Sequence, residues 1–432
     1  MAAFACDSAG AVRGGRLALL AAAWALAGGA CGAAEPGGIA SEPLAAHAYP
    51  RGPTLFTLLP PEQTGVRTEN PYDDPLMKGR LYEEFETSSI GTGVAIGDYD
   101  GDGRPDLFVV SKTGSCRLFR NLGGWKFEDV TGKAGVGNAQ APGVWNQGAT
   151  FVDINNDGRL DLYVCRRGAP NLLYINQGDG TFKERAHAYG LDVNDSSVMA
   201  SFCDYDRDGR LDVYIATNIL DISNHPNGQR GRLLHQNPDG TFTEVTGQAG
   251  IAGESQSHSA AWWDYDGDGW PDLYVANDYG KADHLYHNNR DGTFTDALDA
   301  VLPHTSFASM GSDLGDVNND GRVDFLVVDM AARNHADDQH SPADARALTE
   351  VPDNSSQAPK YHRNALLLAT GVGRLWEAAN LAGVAATDWT WSARLEDLDN
   401  DGRLDLYVTN GMVREAHNVD LLLRQSLAQT PS

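Results

Sequence analysis

The chain reads as an all-β protein, a propeller of four-stranded antiparallel blades, and two observations carry that reading. The first is a nine-residue pattern, Asp-x-Asp/Asn-x-Asp-Gly-x-x-Asp, that recurs six times in 432 residues. Its copies start at Asp98, Asp153, Asp204, Asp264, Asp316 and Asp397, so successive starts lie 55, 51, 60, 52 and 81 residues apart. The second is a set of strand-like runs that returns around every copy. The long final gap holds a polar, aperiodic insertion at about 332–361.

The elements follow in order. A short run precedes each copy, as in Gly93–Gly97 and Ser259–Trp263. A hydrophobic run follows it, as in Leu107–Val110 and Leu162–Val164. A third run ends near an Asn: Leu118–Asn121, Leu173–Asn176, Leu285–Asn288. An Asp-Gly pair then leads to a fourth run that opens on Phe182, Phe242 or Phe294. Asp-Gly between two strand-like runs predicts a two-residue hairpin in which both central residues take positive φ.

The nine-residue pattern has the chemistry of a calcium loop. Carboxylates at positions one, three and five converge when the chain winds tightly, and Gly at position six permits the turn. Position seven can offer its carbonyl whatever its side chain. Position eight is apolar or Pro (Pro105, Leu160, Leu211, Pro271, Val323, Leu404), which ties the loop to the core. The candidate ligands are Asp98, Asp100, Asp102 and Asp106; Asp153, Asn155, Asp157 and Asp161; Asp204, Asp206, Asp208 and Asp212; Asp264, Asp266, Asp268 and Asp272; Asp316, Asn318, Asp320 and Asp324; and Asp397, Asp399, Asp401 and Asp405. Up to six Ca²⁺ ions are expected, one per loop, because hard oxygen donors on a flexible loop favour Ca²⁺ over Mg²⁺ and softer metals. An EF-hand needs a bidentate Glu at position twelve, and the residues there are Val109, Val164, Ile215, Val275, Val327 and Val408. Metal-free loops would leave three or four like charges within a few ångströms of one another. Asn155 and Asn318 remove one charge each, so the second and fifth loops are expected to bind more weakly.

Composition agrees. Asp plus Glu number 59 against 33 Lys plus Arg, a formal charge of −26. Such a chain is not a nucleic-acid backbone binder, since nothing offsets phosphate repulsion. The loops hold 22 of those acidic residues, so much of the acidity has a cation-binding reading. The remainder is solubilising surface charge.

Residues 1–30 read as a secretory signal peptide. Arg13 and Arg16 precede the apolar run Leu17–Ala27, and small residues follow. Residues 31–54, rich in Ala, Gly and Pro, read as a flexible linker, and 55–432 as the propeller. No later segment reaches 18 apolar residues, so no transmembrane segment is expected. Cys31 resembles the acylated cysteine of bacterial lipoproteins, although Gly28 stands where that group usually has Leu. Lipid anchoring and free secretion both fit. Cys165 and Cys203 are expected to be small buried residues rather than a disulfide.

No His-Glu-x-x-His, Gly-x-Ser-x-Gly or phosphate loop occurs, and no catalytic or organic-cofactor residues are assigned. His258, His284 and His287 read as ordinary strand residues. Trp145, Trp262, Trp263, Trp389 and Trp391 recur just upstream of loops and read as packing between blades.

These loops and the Asn…Asp-Gly-x-Phe hairpins resemble the FG-GAP or VCBS repeats of integrin α-chain N-terminal propellers. They are closer still to the cartilage acidic protein group and similar bacterial secreted proteins. The resemblance covers roughly 55–420. It implies a propeller, usually seven-bladed, with calcium loops joining the first two strands of many blades, and an extracellular role in adhesion or in binding a protein or glycan. Six units are visible here. Leu55–Val66 looks like a fourth strand that could close the ring, and the chain stops soon after the sixth loop, so an incomplete ring with exposed edges is expected. The alternative is the propeller of a carbohydrate-active enzyme such as a polysaccharide lyase. That reading needs a Lys, Arg or Tyr base beside a carboxylate-binding cleft, and no such cluster is visible.

Overall fold

The computed structural model describes residues 56–79, 81, 92–138, 141–219, 225, 228–251, 253–278, 281–334, 337–338, 356 and 358–411. The expected signal peptide and linker lie outside them, as does most of the insertion. The chain divides into Met1–Leu58 and Leu59–Ser432. Within the first unit, residues 56–58 carry no strand.

The second unit is a propeller of six sheets. Blade one is Val94–Gly97, Asp106–Val109, Arg117–Gly123 and Lys126–Asp129, paired in chain order. Blades two, three and four repeat this from Trp145–Val152, Ser197–Cys203 and Ser257–Trp263. Blade five is Ser312–Gly315, Asp324–Val327, Ala365–Ala369 and Leu375–Glu377. In blade six, Asp388–Glu396 pairs with Asp405–Asn410 on one side and with Met330–Ala331 on the other. All of these pairings are antiparallel. The insertion returns through Lys360–Tyr361, which runs parallel to Thr305–Ser306.

The first strands of consecutive blades abut, so they line the axis. Each blade presents the aromatic or aliphatic residue two after its last loop Asp to the next blade. These are Phe108, Tyr163, Tyr214, Tyr274 and Leu326, all buried. The next blade answers with alternate residues of its first strand: Ala149 and Phe151, Ala200 and Phe202, Ala260 and Trp262, Ala393 and Leu395. The two faces at the seam differ. Val94 and Ile96 of blade one are 56% and 63% exposed, and Tyr407 of blade six is 48% exposed.

Trp145 is buried, with Nε1 donating to Asp74 Oδ2 at 2.8 Å, and Trp263 stacks on Phe325 at 4.7 Å. These tryptophans serve packing, as expected. Cys165 is buried, Cys203 is half-buried, and both are free thiols.

Two local expectations are corrected. The Asp-Gly hairpins are not two-residue turns. Blade two joins Asn176 to Phe182 through five residues, closed by Gln177 N–H donating to Thr181 O at 2.9 Å. Gly180 takes φ 81°, but Asp179 does not enter the positive-φ region. Its carboxylate instead accepts from the N–H and hydroxyl of Thr181, a local turn that competes with the tighter one. The second correction concerns Leu55–Val66, where the described residues 56–66 contain no strand. Pro60 and Pro61 supply no N–H for a ladder, and Pro61–Thr64 forms a helical turn ending at Gly65, φ 78°. The same turn follows the fourth strand elsewhere, at Thr131–Ala134 and Ala186–Tyr189. A Cβ on Gly65 would meet Phe127 O at 2.4 Å, just as one on Gly190 would meet Phe242 O at 2.8 Å. Pro61–Gly65 therefore sits against blade one as the end of a preceding blade would.

On the end of the propeller away from the loops, Asp283 ties blade four to blade five. Its carboxylate accepts from Tyr274 Oη, from Ser309 Oγ at 2.7 Å and from Asn277 N–H at 2.7 Å. Burial pushes its pKa up to about 6, against the lowering effect of these hydrogen bonds. A carboxyl raised in the native state holds a proton that the unfolded chain has lost, so stability is present at low pH and declines as pH rises from about 4 to about 6. In excess calcium the unfolding free energy from urea titration is expected to fall over that window, by on the order of 3 kcal/mol for this group. Asp283→Asn should flatten that part of the slope. An unchanged slope in the variant would show that Asp283 does not carry it.

Candidate metal centres in the blade loops

Each loop leaves the first strand of its blade and re-enters at the second. Position six is glycine with φ between 82° and 89° in all six copies, as the pattern requires. Position one organises the turn. In the first loop, Asp98 accepts from Asp102 N–H at 3.0 Å and from Gly103 N–H at 2.8 Å. The same pair of bonds recurs at Asp153, Asp204, Asp264, Asp316 and Asp397.

Position nine is a buried staple. Asp161 Oδ1 accepts from Asn176 N–H on the third strand at 2.7 Å, and Oδ2 accepts from Ile154 N–H in its own loop at 3.3 Å. Asp106, Asp272 and Asp324 do the same. Burial raises these carboxyls, with loop neighbours adding to the effect: Asp106 and Asp161 to about 6, Asp212 and Asp272 to about 7.

Position five is held by arginine. Arg104, Arg159, Arg210 and Arg322, each at position seven, pair with Asp102, Asp157, Asp208 and Asp320. The fourth loop has Trp270 there instead, and Arg290 from the hairpin reaches Asp268, with Nε at 3.0 Å. In the second and fifth blades the position-seven arginine lies against a hairpin glycine, Gly178 and Gly371, at the place where Arg290 stands in the fourth.

The expected ligands converge. Asp98, Asp100 and Asp106 can bring one oxygen each within 4.8 Å of one another, as can Asp204, Asp206 and Asp212, and Asp264, Asp266 and Asp268. Buried oxygens are left over in this geometry: Asp100 Oδ1, Asp206 Oδ1 and Asp212 Oδ2 have no hydrogen-bond partner. A buried acceptor without a donor is costly, and a cation would satisfy it. The residues present therefore fit a bound divalent ion.

Comparison with known proteins agrees with this architecture. The model of the FG-GAP-like repeat matches residues 98–164, 153–215, 219–275 and 264–327, more than half of the chain. The chain is an FG-GAP repeat protein. It is 26% identical over 225 residues to cartilage acidic protein 1 of Mus musculus, covering 51% of this chain and 34% of that one. It is 25% identical over 164 residues to integrin alpha-V of Gallus gallus, covering 34% and 15%. The chain thus spans about a third of the mouse relative's length. Among solved structures, a rhamnogalacturonan lyase of Bacillus licheniformis aligns at TM-score 0.37 and 13% identity, over 74% of this chain and 55% of that one.

This FG-GAP repeat protein adds a residue to each site that the loop pattern omits. The third-strand residue beside the loop is Arg120, Ile175, His235, His287 and Leu368 in blades one to five. Arg120 Nε lies 2.6 Å from Asp100 Oδ2. His235 Nδ1 lies 3.4 Å from Asp206 Oδ2, and His287 Nδ1 lies 3.6 Å from Asp266 Oδ2. Ile175 and Leu368 belong to the loops with Asn155 and Asn318. Position two changes in step: Tyr99, Tyr205 and Tyr265 against Ile154 and Val317. The two loops that carry asparagine therefore face an apolar third strand, whereas the first loop, which keeps Asp100, faces the fixed charge of Arg120. Position four, also missed, takes positive φ throughout (Gly101, Asn156, Arg207, Gly267, Asn319, Asn400). The run of Gly and Asn there was the available signal. Asn319 and Arg207 use that position to reach the next loop, donating to Gly402 O at 3.2 Å and Gly269 O at 3.1 Å.

The third-strand amides also lock adjacent blades. Asn176, Gln236 and Asn288 each donate at 2.8 Å to the position-two carbonyl of the preceding loop: Tyr99, Ile154 and Tyr205. Between the second and third loops a cleft of about 730 Å³ opens, lined by Asn155, Tyr189, Asp204, Arg210 and Gln236 among others.

Proposed function

We propose that this chain is a calcium-stabilised binding propeller of the extracellular space or cell envelope, without catalytic activity of its own. The observation that supports it most is the recurring loop geometry with buried, partnerless carboxylate oxygens at positions three and nine. On this reading the Asp and Asn residues of the six loops hold up to six Ca²⁺ ions. Residues 1–30 are the signal peptide and 31–54 the linker, with Cys31 available for a lipid. The ion is structural: bound, it supplies positive charge between carboxylates that otherwise repel, and it stabilises the native state by mass action. The ligand is an extracellular protein or glycan.

Melting tests this directly. At calcium a hundred times the dissociation constant, each occupied site contributes about 2.7 kcal/mol, so chelation should lower the melting temperature steeply. An identical melting temperature in chelator and in calcium would end the calcium reading. A glycan and protein binding screen with and without calcium tests the rest. Depolymerisation of uronic-acid polymers by the purified protein would replace it with the enzyme reading.

A further inference from the structure

We propose that the third and fourth loops are mixed histidine–aspartate centres that prefer a borderline transition ion of the Zn²⁺ class over calcium, with His235 and His287 as ligands. The inference rests on the reading that these loops bind metal, and it separates them from the rest by one strand residue each.

The imidazoles are placed as ligands. One ring nitrogen of His235 lies within 4.8 Å of oxygens of both Asp206 and Asp208, and one of His287 within 4.8 Å of oxygens of both Asp266 and Asp272. The same arrangement arises twice, in adjacent blades of different local sequence. His235 Nδ1 is 3.0 Å from Asp212 Oδ1 and His287 Nδ1 is 3.2 Å from Asp272 Oδ1, so each ring nitrogen is turned into its loop's carboxylates. In the third loop the surrounding oxygens point the same way. Asp212 is wholly buried, its Oδ2 has no donor, and neither has Asp206 Oδ1. The position-two tyrosines hold the rings edge-on, Tyr205 against His235 at 6.4 Å and Tyr265 against His287 at 5.9 Å.

Ligand chemistry then sets the ion. Imidazole nitrogen suits zinc and its neighbours, whereas an all-oxygen set suits calcium. The second and fifth loops place Ile175 and Leu368 at this position and stay all-oxygen. The first places Arg120, which brings a fixed positive charge.

The experiment is equilibrium dialysis of chelator-treated protein against Zn²⁺ in a large excess of Ca²⁺, with metal content measured per chain. The parent is expected to retain two zinc ions. His235→Leu and His287→Leu should each lose one, with affinity at that loop reduced roughly tenfold or more. The double variant should lose both while keeping a calcium-induced rise in melting temperature. Leucine is tolerated at the equivalent site of blade five, and urea unfolding checks each variant's fold. Zinc retention unchanged in the double variant, or zinc fully displaced by calcium in the parent, overturns the proposal. A parent that retains zinc but shows no calcium shift would keep this assignment and retire the calcium reading. A calcium shift without zinc retention would do the reverse.

Discussion

Asp161→Ala is expected to cost about 2–6 kcal/mol of folding free energy, because it strands two buried N–H groups at about 1–3 kcal/mol each. Asp161 is 0% exposed, and its two oxygens accept from Ile154 and Asn176, one in the loop and one on the third strand. The loss should be measured by urea unfolding in chelator and again in excess calcium. In chelator the loss of the two hydrogen bonds is set against relief of burying a carboxyl beside Asp157 and Asp153, and at low pH, where that carboxyl is neutral, the hydrogen bonds alone are at stake. Any additional loss in calcium reports the metal, which the variant can no longer coordinate at this corner. Asp161→Asn should fall between, since it keeps one acceptor and turns a donor toward the other N–H. If Asp161→Ala in chelator at low pH were as stable as the chelated parent, the staple role of position nine would be wrong, whatever the calcium result.

That dual role marks where the sequence was readable. Positions one, three, five, six and nine could be identified because their chemistry is local: Asp98 caps N–H groups only four and five residues away. The strands around the loops were readable for the same reason. The partners that tune each site were not. Arg120, His235 and His287 follow the last Asp of their loops by 14, 23 and 15 residues and sit in runs that look like any strand. Only pairing of the second strand with the third carries them to the loop, through registers such as Tyr274↔Leu285. The hairpins were misjudged because Asp179 has two local options, and its side-chain bonds to Thr181 favour the longer one. At Pro60 and Pro61 a hydrophobic pattern that suits a strand meets residues that cannot donate to one.

The spacing of the blades is the other feature hidden from sequence, and Gly148→Ala is expected to expose it with a loss of about 1–3 kcal/mol. Gly148 lies in the first strand of blade two, where the register shifts between Asn146 and Ala149. Its Cα faces blade three so closely that a Cβ would stand 2.4 Å from Val198 O and 3.6 Å from Met199 Cα. The obstacle is backbone, so no side chain can rotate away. Relief requires moving blade two from blade three, which loosens the contact of Val152 with Ala200 and Phe202. The same closeness recurs around the axis: a Cβ on Gly311 would meet Ser392 Cα at 2.8 Å. Gly132→Ala is the matched control. It lies in a helical turn with nothing within 4 Å of the added Cβ, so there the same methyl should stabilise by about 0.4–1 kcal/mol through the unfolded chain. Opposite signs at the two positions, read from urea midpoints, would place the constraint in backbone contact between first strands. A Gly148→Ala protein as stable as its parent would mean that side-chain packing alone sets the distance between blades.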